Sequence, residues 1–222
     1  MKFTVVIPAA GIGKRVGGDI PKQYLKIGAK TIIEYSLAPF IAHPHVQRII
    51  VSLARNDVWF KNLSIASHPK IKIVEGGAER VDSVLAALHK IDHKDHVLVH
   101  DAARPCLQKS DLDKLIKHVL KTKQGAILAS KVHDTMKRSD ANNNIIKTVP
   151  RESLWHALTP QMFNNGLLIK AILAMQGKCD ITDEASAMEF YGQPVQLVEG
   201  RSDNIKVTRF EDLKLAEFYL KG

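Results

Sequence analysis

Long apolar runs are missing from this chain: none approaches the roughly 20 residues that cross a bilayer, so no membrane partner is expected. Cysteine is nearly missing as well. Cys106 and Cys179 cannot build a disulfide framework, and their reduced state would suit the cytoplasm. Aromatics reach only 6% of the residues, a poor supply of stacking platforms for single-stranded nucleic acid. There is no block of about five or six like charges, no internal repeat and no low-complexity linker. The apolar opening Thr4-Val5-Val6-Ile7 runs straight into a glycine turn and Lys14-Arg15, which reads as a first core strand rather than a signal peptide.

What the chain does have is positive charge, +9 with ten histidines left out of the sum. An excess of that size fits an acidic partner, either nucleic acid or a small polyphosphate. The cations are scattered and not interleaved with aromatics, so a polyphosphate-handling enzyme is the better reading and no nucleic acid is expected. A basic nucleic-acid-binding module is the alternative from another class; it would show salt-steep DNA or RNA binding without turnover. With 222 residues, 45% of them hydrophobic and 25% charged, the chain suits one α/β domain over 1–222.

The apolar pattern alternates between strand-like and helix-like stretches. Thr4–Pro8, Arg48–Leu53, Lys70–Val74, His96–His100, Gly125–Val132 and Val195–Val198 are short β-branched runs of the kind buried in parallel sheets. Helices are expected over Arg80–Ile91, from a capping box at Ser110-Asp111-Leu112-Asp113, near Leu167–Ala174, over Glu184–Phe190, and from a capping box at Thr208-Arg209-Phe210-Glu211 to about Leu220. Between 133 and 157 the pattern turns polar, with Asn142-Asn143-Asn144 between two short strands near Met136 and Ile145, a hairpin-like arm leaving the sheet. Strands alternating with helices imply a doubly wound α/β sheet, mostly parallel, with its ligand at the strands' carboxyl ends.

The loop Pro8-Ala9-Ala10-Gly11-Ile12-Gly13-Lys14-Arg15 follows the first strand. Small residues there let backbone N–H groups approach and cradle phosphate oxygens. A dinucleotide fingerprint would need glycine or alanine where Val16 stands, and a Walker A loop would need Ser or Thr after Lys14. A nucleotidyltransferase loop and a plain strand-to-helix turn with solvated cations both remain open. The His89-Asp92-His93-Asp95-His96 cluster has a zinc-like i, i+4 histidine pair but no cysteine, and reads as a polar turn.

Seven segments in order carry a more specific signal: Pro8–Arg15 with Pro21-Lys22-Gln23-Tyr24, Gly76–Val84, Val99–Pro105, Asp134–Lys137, Trp155–Gln161, Ile181–Ser186 and Gly200–Thr208. Together they resemble the 2-C-methyl-D-erythritol 4-phosphate cytidylyltransferase family. The resemblance implies a Rossmann-like nucleotidyltransferase sheet with a protruding β-arm. It also implies attack of the methylerythritol phosphate group on the α-phosphorus of CTP, with pyrophosphate leaving. Ribitol 5-phosphate cytidylyltransferase shares most of the nucleotide motifs; the Trp155–Gln161 match favours methylerythritol phosphate.

The same resemblance implies roles. Arg15 and Lys22 would neutralise the triphosphate, and Lys206 would stand near the α-phosphate and the incoming phosphate. Ala9, Ala10, Gly11, Gly13, Gly77, Ala78, Ser83, Asp101 and Ala102 would line the nucleotide. Many family members carry aspartate at Ala78, so only backbone readout is expected there. Asp101 would hold Mg²⁺, a salt bridge to Arg104 being its plainer reading. Arg104, Thr135, Arg151, Thr159 and Lys206 would hold the sugar phosphate. The arm would swap across a homodimer, placing Arg151 and Thr159 at the neighbour's site.

Overall fold

The computed structural model describes residues 2–11 and 20–221. Eleven strands and six α-helices follow in the order β1 (Phe3–Pro8), β2 (Lys26–Ile27), β3 (Lys30–Thr31), α1 (Ile32–Ala42), β4 (Val46–Leu53), β5 (Ile71–Glu75), α2 (Arg80–Leu88) and β6 (His96–Val99). Then come α3 (Lys109–Thr122), β7 (Gly125–Lys131), β8 (Met136–Ser139), β9 (Ile145–Val149), β10 (Trp155–Asn164), α4 (Asn165–Met175), α5 (Glu184–Phe190), β11 (Val195–Glu199) and α6 (Glu211–Lys221).

The main sheet has seven strands in the order β11-β7-β10-β6-β1-β4-β5. All run parallel except β10, which pairs antiparallel with both β6 and β7. The alternation of side chains along each strand divides the core into two layers. Val5, Ile7, Ile49, Val51 and Leu98 join one apolar cluster with residues of α1 and α3. Val6, Ile50, Val97 and Val99 join another with residues of α2, α4 and α5. Covering both faces explains why the strand sequences are apolar nearly throughout rather than alternating.

Four elements were not expected: the two-residue strands β2 and β3, helix α1 and strand β10. Helix α1 is closed by a capping box in which Thr31 N donates to Glu34 Oε2 at 2.8 Å and Glu34 N donates to Thr31 Oγ1 at 3.4 Å. Strand β10 contains Pro160, which argues against a central strand on sequence grounds. Its pairing register skips between Ala157 and Gln161, so the proline falls where the ladder does not need its N–H. Two expected caps also differ. Helix α3 starts at Lys109, not at the Ser110 box. Before α6 it is Asp212 Oδ2, not Glu211, that accepts from the N–H groups of Thr208 and Arg209.

The hairpin β8–β9 occupies 136–149, while Trp155, His156 and Ala157 already pair with β7 as part of β10. Both hairpin strands are exposed, Ile145 and Ile146 among them.

Candidate active site

Chain order reverses at β1: β4 and β5 lie on one side of it and β6 on the other. Such a switch point opens a crevice at the carboxyl ends of the strands. Here a cavity of about 190 Å³ is lined by the loop after β1 (Ala9, Ala10, Gly11), the Gly77–Arg80 segment, Ser83, Asp101 and Ala102. Lys22 and Lys206 add cationic walls to it.

Small residues are needed there for different reasons. A Cβ on Gly11 would meet none of the described residues within 4 Å, and Gly11 lines the cavity. A Cβ on Gly76 would stand 2.6 Å from Ala10 Cβ and 2.7 Å from Ser83 Oγ, so the two rims touch through glycine. Gln23 Nε2 braces the first rim, donating to Ala9 O at 2.8 Å and Gly11 O at 3.2 Å. Ser83 Oγ accepts from Gly77 N at 3.2 Å and donates to Glu79 O at 3.1 Å, which shapes the second rim. Gly77 and Ala78 are exposed to the cavity. Lys22 Nζ donates to Val207 O at 3.1 Å, and Val207 N to Ala103 O, tying three cavity walls together.

Asp101 sits just past the end of β6, only 7% exposed. Arg80 Nη2 and Nε donate to its Oδ1 at 3.2 and 3.3 Å. Lys206 Nζ lies 2.9 Å and Arg104 Nε 3.5 Å from Oδ2. Burial alone would raise this carboxyl, but the charges of Arg80, Lys206 and Arg104 overturn that and hold it well below the usual carboxylate range. The expected Arg104 salt bridge is therefore one of three. The carboxylate is anionic at any working pH and lies at the cavity wall, so Mg²⁺ could bind there only by sharing it with these cations and with phosphate oxygens. Among the described residues no group of three or more His, Cys, Asp or Glu gathers around a metal position. An ion at Asp101 would therefore take its other ligands from the nucleotide and water.

A second cavity of about 190 Å³ adjoins the first. Arg104, Ala157, Leu158, Thr159, Gln161, Thr182 and Asp183 line it, and Arg80, Asp101 and Lys206 line both cavities. Its floor is a buried hydrogen-bond chain. His100 Nε2 lies 3.1 Å from the Arg104 carbonyl, which can only accept, so this nitrogen carries the proton. Nδ1 then accepts from Thr159 Oγ1 at 2.9 Å, and the same hydroxyl accepts from Asp101 N at 3.1 Å. Burial pushes the His100 ring down to about 4, against the nearby Asp101 charge, so it stays neutral. Asn204 closes the corner: its O accepts from Arg104 Nη1 at 2.7 Å, and its Nδ2 donates to Thr159 O at 2.8 Å.

Of the expected residues, Ala9, Ala10, Gly11, Lys22, Gly77, Ala78, Ser83, Asp101, Ala102 and Lys206 meet at the first cavity, and Arg104 and Thr159 at the second, so Thr159 lines its own chain's cavity and not a neighbour's as expected. Gly13 and Arg15 lie outside the described residues. Thr135 and Arg151 are exposed on the arm side and line neither cavity of their own chain; Arg151 Nη1 donates to His133 O. The His89–His96 turn supports a helix start: Asn165 Nδ2 donates to Leu88 O just before it and to Ile91 O and Asp92 O within it. Sequence reading gave no role to Arg80, Glu184, His100, Gln161 and Asn204, although all lie within the seven segments, because most of their partners stand far away along the chain.

A doubly wound sheet with paired cationic cavities at its switch point defines a transferase of the nucleotidyltransferase class. Comparison with known proteins makes it specific. The model of the 2-C-methyl-D-erythritol 4-phosphate cytidylyltransferase family matches residues 3–222. The proteins of that name from Aeromonas hydrophila and Pseudoalteromonas atlantica are 55% and 54% identical to it. The matches cover 99% of this chain and 90% and 95% of those proteins. The crystal structure of the Francisella tularensis protein of that name superposes with a TM-score of 0.83 at 36% identity, covering 99% of this chain and 100% of the other. The chain belongs to the 2-C-methyl-D-erythritol 4-phosphate cytidylyltransferase family.

Proposed function

We propose that the chain transfers the cytidylyl group of CTP to 2-C-methyl-D-erythritol 4-phosphate, giving 4-diphosphocytidyl-2-C-methyl-D-erythritol and pyrophosphate. The observation that carries the mechanism is the pair of adjoining cavities that share Arg80, Asp101 and Lys206. A nucleotide in the first and a sugar phosphate in the second would meet at those three side chains.

The attacking group is an anionic phosphate oxygen of the acceptor, so no enzyme base is needed. It forms a bond to the α-phosphorus while the bond to the bridging oxygen breaks and pyrophosphate leaves with the electron pair. The protein's part is alignment and neutralisation of charge. Lys206, Arg104 and Arg80 draw the acceptor phosphate toward the α-phosphate, with Lys206 at the junction. Lys22 faces the triphosphate, and the family resemblance adds Arg15. The backbone of Ala9–Gly11 and of Gly77–Ala78 forms the walls against which the nucleotide would lie. Asp101 would hold Mg²⁺, which when bound neutralises triphosphate charge.

The enzyme acts as a homodimer joined through the arm. In support, a two-stranded hairpin is marginal alone in water, and β8–β9 exposes Ile145 at 66% and Ile146 at 61%. Thr135 and Arg151, which reach neither cavity of their own chain, would serve the partner's acceptor site. A cytoplasmic location accords with two free cysteines. No helix among the described residues is long and apolar enough to cross a membrane.

Pyrophosphate release with CTP and Mg²⁺ tests this, with methylerythritol phosphate and ribitol 5-phosphate offered in parallel. Release with methylerythritol phosphate alone is the expected result. Release favouring ribitol 5-phosphate would keep the chemistry and overturn the acceptor.

A further inference from the structure

Glu184 is an acid with an unusual place. It is the first residue of α5, only 2% exposed, and it lines neither cavity. A buried carboxylate must be paired, and its partner stands 104 residues away in sequence. Arg80 Nη1 donates to Glu184 Oε1 at 2.7 Å and Nη2 to Oε2 at 3.0 Å, a fork of two parallel charge-assisted bonds.

The donors of Arg80 can be counted. A guanidinium has five N–H groups. Two go to Glu184, and the Nη2 and Nε contacts to Asp101 Oδ1 take two more. One donor is left over. Four of the five donors of Arg80 are therefore held by the protein, and one is left to face the cavities whose wall it forms.

Glu184 itself is anchored to the sheet. Gln161, in the central strand β10, accepts from Ala185 N through Oε1 at 2.9 Å and donates from Nε2 to Asp183 Oδ2 at 2.8 Å. The start of α5 is thus fixed to the strand that also holds the Asp101 backbone through Thr159.

We propose that Glu184 is a positioning residue for the transfer reaction: by gripping the Arg80 fork it confines Arg80 to one oxygen of Asp101 and leaves the other facing Lys206. Without Glu184, Arg80 is free to turn its fork onto both Asp101 oxygens, because a bidentate arrangement is the preferred one for this pair. Lys206 then loses its place at the junction of the two cavities. The inference deepens the cytidylyl-transfer reading and rests on it for its kinetic readout.

The test is Glu184→Gln, which keeps the shape and removes the charge. Loss of a residue that orients a metal ligand costs roughly 10- to 100-fold in activity, and a loss of that order is expected here. That loss is expected in kcat, with KM for CTP nearly unchanged. In the double variant Arg80→Gln/Glu184→Gln, activity should fall no further than in Arg80→Gln alone, since Glu184 acts through Arg80. A lowered melting temperature with wild-type kcat would overturn the proposal, as would additive losses in the double variant. If Glu184→Gln does not fold, Glu184→Asp retains the charge with a shorter reach and should melt cooperatively with reduced kcat; wild-type kcat there would overturn it too.

One readout needs no turnover. The Arg80 Nη1–H proton held by Glu184 Oε1 should exchange slowly in wild-type protein and quickly in Glu184→Gln, and an unchanged rate would overturn the proposal. A wild-type enzyme that is inactive on methylerythritol phosphate would instead strike at the transfer reading.

Discussion

Thr159→Val removes one hydroxyl and keeps the shape of the side chain, and the buried chain His100–Thr159–Asp101 sets its cost. Two groups lose their partner: His100 Nδ1, which accepts from the hydroxyl at 2.9 Å, and Asp101 N, which donates to it at 3.1 Å. Both residues are buried, His100 completely, so water does not replace the hydroxyl. Each stranded group costs about 1–3 kcal/mol, and the two together about 2–6 kcal/mol on the same scale. In a chain of this length 1 kcal/mol moves the melting temperature by about 2–4 °C, which predicts a fall of about 4–24 °C. Thr159→Ser keeps the hydroxyl and gives up one methyl, worth about 1 kcal/mol, so it should melt only a few degrees below wild type. Scanning calorimetry on the three proteins, with KM for the acceptor measured alongside, decides the matter. An unchanged melting temperature with a raised KM in Thr159→Val would refute the reasoning. It would mean that the hydroxyl serves the acceptor and not the fold.

Other expectations follow from the same geometry. Lys206→Ala should fold normally, since its side chain is 40% exposed and Asp101 keeps Arg80 and Arg104. It should lose about 10²–10³ in kcat, as when one charge-stabilising donor is removed, and retained turnover would refute its role. His100 is held neutral with its pKa at about 4 against an ordinary 6.5. Between those values the unfolded chain binds a proton that the folded chain does not, so stability falls as pH drops through this window. The loss is about 3 kcal/mol over the whole window, read as a shift in urea midpoint. A His100→Gln variant with an equally steep profile would count against it. Ile145→Asp/Ile146→Asp should convert a sedimenting dimer to a monomer and reduce turnover; an unaltered dimer would remove the arm from the interface.

Much of the fold was legible because its strands are buried on both faces. Val5-Val6-Ile7 and Ile49-Ile50-Val51 divide between two core layers, so the sequence reads as unbroken apolar runs wherever a central strand lies. Strand β10 escaped notice because Pro160 interrupts it, and only the register skip around that residue reconciles the two. The caps of α3 and α6 were misread for a related reason: several Ser, Thr and Asp residues stand near each start, and tertiary packing decides which one closes the helix.

In the site, short loops with local signals were legible. Asp101 and Ala102 follow an apolar strand, and Gly76 and Gly77 precede a helix. The pairs that hold those loops in place were not legible. Arg80 with Glu184, and Asn204 with Arg104 and Thr159, join residues from distant segments through single side chains that carry no periodicity. Nothing in a local pattern distinguishes Arg80 from any other cation at a helix start.

The measurement that bears most directly on the central claim is ³¹P NMR of the protein incubated with CTP, Mg²⁺ and methylerythritol phosphate. Cytidylyl transfer predicts that the acceptor's monophosphate signal gives way to two coupled signals of an unsymmetrical diphosphate, while free pyrophosphate appears in equal amount. Pyrophosphate accompanied by CMP with the acceptor signal intact would show hydrolysis rather than transfer, and would contradict the account.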